Sequence, residues 1–249
     1  MIFSSTGLVY LILFFALGLL TYRFFQYWKQ KRDTTSKLFF LFALTFLSFV
    51  FFRAVSILFF ANNIKILVDS IVLVSFIEDL AAAIVAYLII YSKFPKISPW
   101  LGFSIIFILG LFVTIATAGI SYQPSFEKMG AIDWGFPLSG AGIFCSILRF
   151  GIILITFIPL IVILLQQFKT SEDSSIRKRS FGLSLVLMVA VIGGLADFIL
   201  NSFLRLDAIY RDITIAILGV LLFIFIFITQ KPPAKKEIVS PSPSPKIPW

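Results

Sequence analysis

Seven stretches of this chain, each about 20 residues long and nearly free of charge, constrain its fold more than any other feature. A helix needs about 20 apolar residues to cross about 30 Å of hydrocarbon. The stretches fall at 7–26, 38–60, 64–91, 100–120, 138–165, 181–203 and 212–229. Of all 249 residues, 59% are hydrophobic and only 13% charged, where a soluble domain carries roughly 25%. The expected fold is therefore an all-α polytopic membrane protein, a bundle of seven transmembrane helices. The first stretch is expected to stay as a span, because MIFSST holds no basic residue and no small-residue cleavage site follows the apolar run.

Orientation follows from Lys and Arg. Fifteen fall on one side of the spans and four (Lys65, Lys128, Arg205 and Arg211) on the other. That bias places the N-terminus outside and the C-terminus in the cytoplasm, in the plasma membrane. Tyr27, Trp28 and Trp100 fall at the inner boundary and Tyr122 and Trp134 at the outer one. The longest connections, 121–137 outside and 166–180 inside, leave no room for an inserted domain. Residues 230–249, which alternate Pro and Ser, read as a disordered cytoplasmic tail. The net charge of +9 belongs to these loops and the tail, so no nucleic-acid surface is expected. Arg177, Lys178 and Arg179 instead suit anionic lipid headgroups.

The chain has no His and one Cys, Cys145. Histidine-ligated haem, histidine-based zinc hydrolysis, Cys-ligated iron–sulfur clusters and internal disulfides are thereby excluded. No catalytic motif is recognisable, and the expectation is a non-enzyme without cofactor or metal. The absence of Lys from the last span excludes a retinal Schiff base, and no G-x-G-D motif supplies an intramembrane aspartyl protease.

Polar and small residues mark the bundle interior, because lipid cannot satisfy them. Four spans carry them at helical spacing: Ser75, Glu78, Asp79, Ala82 and Ala86; Gly110, Thr114, Thr117 and Ser121; Gly142, Cys145, Ser146, Arg149 and Thr156; and Ala190, Gly193, Gly194, Asp197 and Asn201. Spans one and seven lack such stripes and read as peripheral, lipid-facing helices. Pro159 should kink the fifth. Counting helical rise, Arg53, Asp69 and Asp197 form a tier roughly 6–8 Å below the outer boundary. Arg149, Glu78 and Asp79 form a deeper one, at about 16–22 Å. Four acids against two arginines leave an excess that must be protonated, hydrated or matched by a cation. The candidate ligand- or ion-binding residues are Arg53, Asp69, Glu78, Asp79, Arg149, Asp197 and Asn201, around a pocket open to the outside.

The order of parts, with a short basic first loop and then IRKRSFGLSLVLMVAVIGGLADFIL at 176–200, resembles the seven-helix N-terminal sensor region of bacterial membrane histidine kinases. The likeness implies a sensor-like or receptor-like protein. Without a kinase domain in these 249 residues, signalling is expected to run through a separate cytoplasmic partner at loops 27–37 or 166–180 or at the tail. Two alternatives remain open. One is a small transporter or proton/cation pathway in which Glu78, Asp79 and Asp197 take protons or cations; the other is an accessory subunit whose charges only hold the bundle together.

Overall fold

The computed structural model describes residues 4–135, 139–200 and 206–230, and of Lys128, Asp197 and Phe198 the backbone alone. Asn201, Arg205 and the tail beyond Gln230 lie outside the described residues. Seven helices run through them: α1 (Ser5–Lys31), α2 (Thr34–Phe60), α3 (Ile64–Lys93), α4 (Pro99–Ala118), α5 (Gly140–Thr170), α6 (Ser174–Ile199) and α7 (Ala208–Thr229). All seven are long and apolar enough to cross a membrane, and the chain is a multi-pass membrane protein.

Helix starts are set by the polar residues that punctuate the apolar runs. Ser4, Asp33, Asn63 and Ser139 each accept the backbone N–H three residues on with a side-chain oxygen, which satisfies a donor that helix geometry leaves free. Pro99 opens α4, where its missing N–H costs nothing. Arg32 adopts the left-handed conformation at φ 57°, and with Asp33 it turns the chain back between α1 and α2. Pro159 lies within α5 without ending it.

Several boundaries depart from the apolar stretches. α1 runs on through Lys29–Lys31 and α6 starts at Ser174, because long basic side chains reach water from the end of a helix whose stem is in lipid. α7 starts at Ala208, so Arg211 belongs to the helix and not to the connection before it.

Six helices enclose the centre. α1 packs on α2 and α7, α2 on α3, α3 on α5, α5 on α6, and α6 on α7. α4 stands outside this ring against α3 and α5. The expectation that spans one and seven are peripheral fails, since α1 and α7 pack on each other and close the ring. The main core gathers Leu20, Val50, Val85, Phe157, Leu160, Leu187 and Ile226, each at most 2% exposed. Outward-facing Phe15, Phe112, Ile115, Ile155 and Phe227 are 60% to 69% exposed, which suits a protein whose solvent is lipid. Between helices in lipid, close approach replaces the hydrophobic drive. At the far end of α7 the Thr229 side chain fills the space that a Cβ on Gly182 of α6 would need.

The end of the bundle that holds residues 4–8 is termed the N-face, and the end where α7 finishes the C-face. On the N-face the connection between α4 and α5 folds into a small hairpin, β1 (Ser125–Phe126) paired antiparallel with β2 (Ile132–Asp133). Ile132, fully buried, packs with Ile57 and Leu67 and is flanked by Tyr10 and Trp134. The hairpin thereby ties α1, α2 and α3 together at this end.

Candidate functional site

The described candidate charges do not share one pocket: Glu78, the pair Asp79 and Arg149, and Arg53 fall in three places, and Asp69 in none of them. Glu78 and Asp79 illustrate why. Successive residues on a helix point about 100° apart, and α3 has neighbours on both sides, the ring on one and α4 on the other. Glu78 faces the ring and Asp79 faces α4.

The first place is a central chamber of about 220 Å³. Its walls come from α1, α2, α3, α5, α6 and α7, and they include Leu13, Leu17, Phe46, Val50, Phe157, Leu187 and Leu218. Among the described lining residues Glu78 is the one charged group, and Tyr10 brings the one phenol. Ala190, Gly193 and Gly194 of α6 also line it, as their spacing suggested, and their small side chains leave the space open. Tyr10 had carried no signal, because a lone Tyr in an apolar run has no periodic partner.

The second place is the seam between α3, α4 and α5. Asp79 is 2% exposed, and Thr114 Oγ1 donates to its Oδ2 at 2.6 Å. Gly110, one turn before Thr114, makes room for this carboxyl: a Cβ there would lie 2.5 Å from Asp79 Cβ. One turn after Thr114, Thr117 Oγ1 accepts from Arg149 Nη2 at 3.1 Å and donates to the Val113 carbonyl at 2.7 Å. The two threonines thus hold an acid and a base on one face of α4 without a direct ion pair. Arg149 Nε is buried and has no hydrogen-bond partner among the described residues. Cys145 lies in the same seam with Ala82, Ala83, Ala86 and Val113, as a small packing residue.

The third place is the N-face, and its main polar network lies on residues not among the candidates. Arg211 and Asp212, 2% and 3% exposed, form an ion pair at 3.2 Å. Asp212 Oδ2 accepts from the Ser5 and Thr6 hydroxyls, both at 2.7 Å. Thr6 in turn accepts the Ile132 N–H at 2.9 Å, and Arg211 Nη2 donates to the Ile132 carbonyl at 2.5 Å. Ser4 donates to the Gly130 carbonyl and Glu127 accepts from the Ala208 N–H, at 2.7 and 2.6 Å. This network clamps the hairpin onto the starts of α1 and α7. Arg53 lies over the Trp134 ring at 4.2 Å. Burial pushes the Tyr122 phenol above its ordinary range, against the opposing pull of Arg149 and Arg53.

Asp69 is exposed on the outer side of α3 and joins none of these places, so the outer tier is not a single cluster. The side chain of Asp197, and Asn201 as a whole, lie outside the described residues. Among the described residues no three of His, Cys, Asp and Glu stand close enough together to hold a metal ion. On the C-face the basic cluster divides: Arg177 and Lys178 are exposed, whereas Arg179 turns inward over the Tyr27 ring at 4.3 Å.

Comparison with family models, curated proteins and solved structures finds no match to this chain.

Proposed function

We propose that this is a receptor-like or sensor-like protein of the plasma membrane. Its central chamber takes a small lipophilic cation, and its C-face passes the occupied state to a separate partner. The observation that carries the reading is one carboxylate, Glu78, among the described residues that line a largely apolar space of about 220 Å³. Few convergent polar groups on an apolar wall are the usual composition of a small-molecule site. A carboxylate in low dielectric attracts a cation and the apolar wall attracts an apolar body, so an amine with an apolar body gains from both parts of the wall. An apolar cavity of about 150 Å³ holds benzene, which sets the occupant here at bicyclic size. Arg177 and Lys178, exposed at the start of α6, provide the contact with anionic headgroups.

Purified protein in neutral-lipid nanodiscs, melted with 2-aminoindane and with indane, tests this reading. The amine stabilises the fold by up to about 2.7 kcal/mol at about 100 times its Kd, and indane by less. Filling the chamber with Ala190→Phe abolishes both shifts. No shift with either compound, or shifts that survive Ala190→Phe, would overturn the reading. The second reading, a proton or cation pathway, draws on Glu78 and Asp79 standing at one depth on opposite sides of α3. Flux into proteoliposomes that disappears in Glu78→Gln and Asp79→Asn would favour it.

A further inference from the structure

At the C-face, four side chains of α1 and α6 meet in a way that packing alone does not require. Arg23, Gln26 and Tyr27 share one side of α1, since positions three and four apart are neighbours on a helix. Arg179, near the start of α6, lies across from them over the Tyr27 ring. Its position is fixed from below: Gln230, 2% exposed at the end of α7, donates through Nε2 to the Arg179 carbonyl at 3.0 Å. Arg23 also stands close enough to act on the Tyr27 phenol. Two guanidinium groups therefore converge on one phenol.

No carboxylate among the described residues forms an ion pair with Arg23 or Arg179. Arg23 Nε and Gln26 Oε1 are buried and have no hydrogen-bond partner among the described residues. A buried donor left without a partner is costly, and the more so for a charged group. An occupant with anionic oxygens answers the arginines, and one with a hydroxyl beside them also answers the Gln26 acceptor. The level in the bilayer agrees. Tyr27 and Trp28 belong to the amphipathic belt of the membrane boundary, and Arg23 lies one turn deeper, within reach of a headgroup through its long stem.

We propose that Arg23, Gln26, Tyr27 and Arg179 form a discrete binding site for a phosphate group bearing a neighbouring hydroxyl, as on a hydroxylated anionic phospholipid. The site differs from a general attraction of headgroups to the exposed Arg177 and Lys178. Fork-shaped guanidinium groups bind phosphate oxygens in pairs, so two of them hold one phosphate in a defined orientation between α1 and α6. Occupancy ties together two helices that also wall the central chamber.

The full chain, purified in neutral detergent, is titrated with phosphatidylglycerol, with phosphatidylcholine and with inorganic phosphate, and bound ligand is counted by native mass spectrometry. One phosphatidylglycerol is expected to stay bound where phosphatidylcholine is lost. Removing Arg23 or Arg179 (Arg23→Gln, Arg179→Gln) lowers its affinity about fivefold each, while Arg177→Gln with Lys178→Gln leaves it unchanged. Retention of inorganic phosphate by the wild type, lost in the same two variants, would identify a free phosphate as the occupant of the same site. Wild-type protein that retains neither ligand, or phosphatidylglycerol retained equally by Arg23→Gln, Arg179→Gln and wild type, would overturn the site. Should the glutamine variants fail to fold, the wild-type titration still decides, and Arg23→Lys is expected to keep the charge and bind with intermediate affinity.

Discussion

The seam behind α3 and the chamber in front of it hold two carboxylates from adjacent positions, and they treat them in opposite ways. Asp79 is held: Thr114 donates to it, Gly110 makes room for it, and α4 closes over it. Glu78 lines the wall of a largely apolar chamber with room for an occupant. The difference teaches that an intramembrane acid is not functional by virtue of its charge alone. What matters is whether the surrounding helices close over it, as α4 does over Asp79, or leave a space beside it, as the ring does at Glu78.

The N-face network sets the scale for a fully held acid. Asp212 has Arg211, Ser5 and Thr6 around it, so Arg211→Gln leaves a buried charge short of its counter-ion. Such a loss costs about 3–5 kcal/mol. It is the largest effect expected here, visible as a lower unfolding temperature in detergent. In the seam, Gly110→Val must push against Asp79 and is expected to destabilise by about 1–3 kcal/mol, the usual cost of overpacking. Thr114→Val keeps the shape and removes the donor, so its cost of about 1–3 kcal/mol isolates the hydrogen bond from the packing. Glu78→Gln keeps the size of the side chain and its ability to accept hydrogen bonds, so it should change the stability of the empty protein by less than about 1 kcal/mol. A Glu78→Gln variant as unstable as Thr114→Val would erase the distinction between the two places.

Weaker than the seam contacts is the latch between Arg53 and Trp134. Trp134→Leu should cost about 1 kcal/mol through the lost cation–π contact, with the local loss read as faster amide exchange in the hairpin. The smallest effect concerns Tyr122. A phenol whose folded value is raised by burial stabilises the fold below its ordinary value of about 10. That contribution is lost as pH rises from there through the folded value. Melts taken above about pH 10 should therefore fall more steeply for wild type than for Tyr122→Phe.

The spans were legible because the bilayer imposes a length and a composition that no loop imitates, and the structure keeps all seven. Their arrangement was less so. Ala190, Gly193 and Gly194 announced an interior face by spacing alone, and they do line the chamber. The 100° between Glu78 and Asp79 was equally visible, yet which neighbour each would meet depends on α4 standing outside the ring, and spacing carries no such information. Arg211 read as a charge of the connection and Asp212 as the first residue of the seventh span. Their partners Ser5 and Thr6 lie at the opposite end of the chain, up to 207 positions away in sequence, and no periodic pattern connects residues so far apart. Asp69 looked like a member of the outer tier by depth, but depth does not say which way a side chain turns.

The most direct test of the account pairs the two adjacent acids in one experiment. The stabilisation by 2-aminoindane in neutral-lipid nanodiscs is measured for wild type, Glu78→Gln and Asp79→Asn. The shift is predicted to fall to the level given by indane in Glu78→Gln and to persist in full in Asp79→Asn, whatever the starting stability of each. A full shift retained by Glu78→Gln, or an equal loss in both variants, would contradict it.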